Sequence, residues 1–81
     1  MSGSQFIHQS AALRGQGNFD AAIAVIEANI SNFSQEELLV ALLQAFYAAN
    51  EGGHTERAQG FAIQIQALDP NIPTIAQFLR G

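Results

Sequence analysis

Two glycine-led segments standing thirty-six residues apart constrain this chain more than anything else in it. The first is GNFDAAIAVIEANI, Gly17 to Ile30, and the second is GGHTERAQGFAIQIQALDP, Gly52 to Pro70. Each opens on residues that favour a turn and continues with helical periodicity. In the first, Phe19, Ala22, Ile23, Ile26 and Ile30 fall on one stripe of a helix, with Asp20 and Glu27 off it. In the second, Ala58, Phe61, Ala62, Ile65 and Leu68 share one side of a helix expected from Thr55 to Leu68. At that offset Gly17 falls on Gly53, Ala22 on Ala58, Phe19 on Thr55, Val25 on Phe61 and Ile26 on Ala62. An alanine five places after each glycine is what a tight helix crossing needs, because a larger side chain would hold the two backbones apart.

The remaining segments fit around these two. Phe6, Ser10 and Leu13 recur at helical spacing ahead of the GQGN break, and Asn18 is placed to cap the following helix through its side chain. Ser34 with Glu37 three residues on forms a capping box ahead of LLVALLQAFYAAN. Leu38, Leu39, Val40, Leu42, Leu43, Phe46 and Tyr47 occupy most of that helix's circumference, so it is expected to be central and covered on more than one side. Gly52 and Gly53 end it, both free to take positive φ. DPN ends the fourth helix, and Pro73 sits near the start of a short fifth one, whose apolar edge is Ile75, Phe78 and Leu79. No segment alternates with period two, so no sheet is predicted and the fold class is all-α.

Composition then removes whole classes of function. Eighty-one residues make one domain of marginal stability, with little room for a deep catalytic cleft. There is no lysine, and the three arginines (Arg14, Arg57 and Arg80) face seven acids, for a net charge of −4. Nucleic acids and anionic membranes select clustered cations, so neither is an expected partner. Cysteine is absent, which excludes disulfides and thiolate metal sites. No charged leader with an apolar run opens the chain, and no apolar stretch reaches the roughly 20 residues of a membrane span. The expectation is a soluble, cytoplasmic protein with no cofactor.

The paired helices, the small residue after each glycine turn and the closing Leu68-Asp69-Pro70 resemble the tetratricopeptide repeat family. Gly17, Phe19, Ala22 and Ile26 stand on motif positions of a first repeat, about residues 3–34, and Gly53 and Ala58 on those of a second, about 35–70. DPNIPTIAQFL is similar to the first helix of a third repeat shortened to a cap, about 72–80. Departures are Ser34 where the family has proline, Thr55 where it has an aromatic, and Phe46 at a small-residue position that a one-residue shift would give to Ala45. The resemblance implies a right-handed α-α superhelix of two antiparallel hairpins plus a fifth helix. It also implies a protein or peptide partner held in a concave groove lined by the first helix of each hairpin. By position that groove draws on Ile7, Ala11, Arg14, Leu43, Tyr47 and Asn50. Leu43 and Tyr47 could equally be core. The lysine clamp with which some members grip an acidic C-terminus is missing, so an apolar or amide-rich segment is the expected ligand, oriented by Asn and Arg14.

Candidates for chemistry are few. His8 and His54 lie in different segments without the ligand count of a metal site, so surface imidazoles are expected. Glu36 and Glu37 are neighbours on a helix and diverge by about 100°, which suits capping better than acid–base work. Asn29-Ile30-Ser31 and Asn32-Phe33-Ser34 match the glycosylation pattern, a chance match in the absence of a leader. Gly15-Gln16-Gly17 lacks the strand and lysine of a phosphate loop. No nucleophile–base constellation can be assembled, so the expectation is an interaction module, an adaptor or co-chaperone-like binder, and not an enzyme. Hairpin repeats bury their faces by stacking, and two plus a cap is thin. That thinness points to self-association, to an oligomerisation or capping role, or to attachment within a longer protein.

Overall fold

The computed structural model describes residues 3–81, and all regular structure among them is helical. The helices are α1 Ser4–Gly15, α2 Phe19–Ala28, α3 Gln35–Glu51, α4 Thr55–Leu68 and α5 Pro73–Arg80, with a short 3₁₀ turn Ile30–Asn32 between α2 and α3. α1 folds back on α2, and α3 on α4. α3 also lies against α1 and α2, while α5 rests on α4. The all-α fold class is therefore as expected.

The two tight turns are copies of each other. Gly17 and Gly53 both have φ of 78°. In the first turn Gln16 N–H donates to Ala12 O, Gly17 N–H to Arg14 O and Asn18 N–H to Leu13 O. In the second, Gly52 N–H donates to Ala48 O, Gly53 N–H to Asn50 O and His54 N–H to Ala49 O. Each bond is the other shifted by thirty-six residues, and Asn18 and His54 share nearly the same dihedrals (φ −93°, ψ 70° and φ −87°, ψ 71°). The glycine takes the left-handed conformation that lets the helix end and the chain reverse. This register leaves no one-residue shift, so Phe46, and not Ala45, occupies the place of Ser10.

Several expectations change here. Asn18 occupies the N-cap position of α2, but its side chain makes no capping hydrogen bond; its backbone carbonyl accepts from Ala22 N–H instead. Gly52 has φ of −83°, an ordinary value. Its smallness serves packing, because a Cβ there would lie 2.9 Å from Phe19 Cβ across the hairpins. Ile30 and Leu68, the last members of the two stripes, are exposed, because α2 ends at Ala28 and Leu68 is the final residue of α4.

The core runs through α2, α3 and α4: Ala22, Ile23 and Ile26, then Leu42 and Phe46, then Ala58, Phe61, Ala62 and Ile65. Four of the six buried residues of α3 are alanines, Ala41, Ala45, Ala48 and Ala49. Small side chains there let neighbouring helices approach from more than one side. The Ser34–Glu37 capping box starts this helix: Glu37 N–H donates to Ser34 Oγ (3.2 Å) and Ser34 N–H to Glu37 Oε1 (2.9 Å). Glu37 Oε1 also accepts from Gly3 N–H at 3.3 Å, tying the start of α1 to the start of α3.

Ser10 and Phe46 show how one register position can do two jobs. Ser10 is fully buried and its hydroxyl donates to Ala22 O at 2.8 Å, pinning α1 to α2. Phe46 instead meets Phe78 of α5 edge-on, with ring centroids 4.9 Å apart. With Ile75 buried and Pro73 at its first turn, α5 packs on the body and leaves Thr74, Gln77 and Arg80 exposed.

Candidate functional site

α1 and α3 lie side by side and point the same way. Ser4 and Ile7 meet Glu36, Glu37 and Val40 at one end, and Arg14 meets Tyr47 and Glu51 at the other. Between their N-terminal ends lies a shallow groove, a cleft of about 300 Å³ lined by Ser4, Ile7, His8, Glu36, Glu37 and Val40. Val40 is the exposed apolar residue here, at 46% of its full accessibility.

Of the six residues expected from the sequence, five are partly buried and one is exposed. Ile7, Ala11 and Arg14 stand on α1, half-buried, and Ile7 packs against the core while lining the cleft. Leu43 and Tyr47 are half-buried and packed on the core, so each serves the fold and shows part of its surface. Asn50 is exposed near the end of α3. Arg14 is already engaged: one guanidinium nitrogen lies 2.7 Å from Glu51 Oε2, and the guanidinium carbon sits 5.3 Å from the Tyr47 ring centroid. That pairing lowers its capacity to orient a ligand, while stacking it on Tyr47 rigidifies that end of the helix pair. Arg14 Nε and Gln44 Oε1 are buried and have no hydrogen-bond partner among the described residues.

The sequence reading missed His8, Glu36 and Val40 as groove residues. Val40 and Glu36 were within reach, since they precede Leu43 and Tyr47 on the same stripe at positions 36, 40, 43 and 47. Extending the stripe back one turn finds them.

Elsewhere the polar groups mostly join the hairpins. Arg57 pairs with Glu27 at 2.7 Å and His54 Nε2 with Asp20 at 2.9 Å, so His54 acts across the hairpin junction while His8 stays exposed. Glu36 and Glu37 stand in the first turn of α3, Glu37 as the capping residue. A wider concavity of about 500 Å³ lies between the start of α4 and the end of α5, with Thr55, Gln59, Gln77, Phe78 and Arg80 on its walls. One wall is the last turn of an eight-residue helix, so its shape depends on how that helix docks. Among the described residues no three His, Cys, Asp or Glu side chains converge on a metal position, and no helix is long and apolar enough to cross a membrane. Comparison with protein-family models, with curated proteins and with solved structures finds no match for this chain.

Proposed function

We propose that this chain is a non-catalytic protein–protein interaction module that takes a segment of another polypeptide along the groove between α1 and α3. The observation that carries this reading is the cleft lined by Ile7 and the exposed Val40, with the half-buried Leu43 and Tyr47 further along α3. A row of aliphatic and aromatic surface on rigid helices is what a docking segment uses, and it needs no chemistry from the module. The thirty-six-residue echo in turn geometry supports a tetratricopeptide-like arrangement of the two hairpins, with α5 as the cap and a right-handed stack as the expected handedness.

The other reading is a self-association or capping domain, and its support is the exposed Ile63 and Leu68 of α4. They are five residues apart, about 140° around the helix, and so form no single face. Scattered apolar residues of that kind are ordinary on soluble surfaces. The exposed residues of α1 include Gln5 and Gln9 and those of α5 Thr74, Gln77 and Arg80, polar surface that favours a closed stack over end-to-end growth.

Substituting a photo-crosslinking residue at Val40, with the same residue at Ile63 as the control, tests the two readings together. Crosslinks to a distinct protein from position 40 and not from 63 are expected. Crosslinks from position 40 only to a second copy would establish the self-association reading instead. Val40 is preferred to Leu43 or Tyr47 because changing those would disturb the core as well.

A further inference from the structure

We infer that the segment recognised by this groove carries a lysine or arginine next to an aliphatic side chain. This inference rests on the docking reading above and adds the partner's charge to it. The aliphatic part follows from the cleft between Ile7 and Val40. The cationic part follows from how the charges around the groove are spent. Arg14, the one arginine on its walls among the described residues, is neutralised by Glu51 and stacked on Tyr47, and the exposed His8 lines the cleft beside Glu36. Glu37 is occupied by the capping box and Gly3 N–H. Glu36 is exposed on the rim of the cleft and, among the described residues, has no ion-pair or hydrogen-bond partner. The groove therefore presents a negative rim on a chain whose net charge is −4. An acidic or strictly apolar segment would bring Glu36 no partner, whereas an ammonium or guanidinium one turn from the inserted aliphatic group would meet its carboxylate. This sharpens the expectation of an apolar or amide-rich ligand by adding a specific cation.

Two peptides of about 16 residues, helical enough to present one face, are the probes. Both place leucines at helical spacing; one has lysine flanking each leucine and the other has glutamate. Each is titrated into the full chain at about 0.15 M salt, where long-range attraction is screened, and backbone amide shifts are followed. The lysine peptide is expected to move amides around Ile7, Glu36 and Val40 and to bind at least about tenfold tighter than the glutamate peptide. Glu36→Gln should weaken it about two- to fivefold, as for an exposed ion pair. Glu56→Gln is the matched control, because Glu56 also stands exposed in a first helical turn but on α4; it should leave the affinity unchanged. The same spectra show that each variant is folded. If both peptides bind this cleft equally, or Glu36→Gln and Glu56→Gln behave alike, the cation requirement is wrong and the docking groove stands. If both peptides shift amides elsewhere, or none, the groove reading falls with it.

Discussion

Gly17 and Gly53 share a φ of 78° with open space where a Cβ would go, so substitution at either meets only the backbone cost of a left-handed residue. Gly17→Ala and Gly53→Ala should each lower stability by about 1–2 kcal/mol in denaturant unfolding, and by similar amounts. A marked inequality between them would mean that the two turns are not equivalent. Gly52→Ala differs in kind: its φ is ordinary, but the new methyl meets Phe19 Cβ at 2.9 Å, and both positions are backbone-anchored. Overpacking there should cost about 1–3 kcal/mol. The sequence announced that both glycines of the pair belonged to a turn, but not that one serves conformation and the other contact. That division depends on Phe19, thirty-three residues away in the chain.

Helix by helix, most of the molecule could be read in advance. Thr55 and Leu68 bound α4 as the caps and breakers indicated, and the Ser34–Glu37 box starts α3. Local chemistry decides such features, so local sequence reveals them. Ser34→Ala, which removes one half of the box, should cost about 1 kcal/mol by thermal or denaturant melting. The side-chain role given to Asn18 was not borne out, because the turn already satisfies the backbone and only the residue's carbonyl is needed. Tight crossings are the second element-level feature. Ala22 and Ala58 are fully buried at matching places, and Ala22→Leu or Ala58→Leu should destabilise by about 1–3 kcal/mol or more, enough to unfold a domain of this size. Ile7, Leu43 and Tyr47 were expected on a groove from the resemblance to paired-helix repeats, and they stand half-buried on α1 and α3. The tethering of Arg14 was not legible, since Glu51 reaches it from another helix.

Across the described residues, two ion pairs, Arg14–Glu51 and Arg57–Glu27, and the 2.9 Å contact of His54 Nε2 with Asp20 join the first hairpin to the second. Each has one or both partners substantially exposed, so together they orient the hairpins more than they hold them. A double-mutant cycle on Glu27 and Arg57 should return a coupling of about 1 kcal/mol or less, with little change on adding salt beyond the first few tenths molar. No reading of the sequence could pair these charges, because their separations of 37, 30 and 34 residues become neighbours only when two hairpins dock. Hydrophobic burial between α2, α3 and α4 is the term that keeps the hairpins together.

The docking of α5 has a kinetic consequence. This helix has eight residues, touches the body mainly through α4 and the edge-on meeting of Phe46 with Phe78, and has no second hairpin partner. A terminal element with so few contacts opens more often than the rest. In amide hydrogen exchange α5 should lose protection ahead of α3, whose amides exchange only with global opening. Each such excursion uncovers Phe46 and the flank of α4 for an instant, so the chain spends a small fraction of its time as a four-helix body with a fresh apolar end.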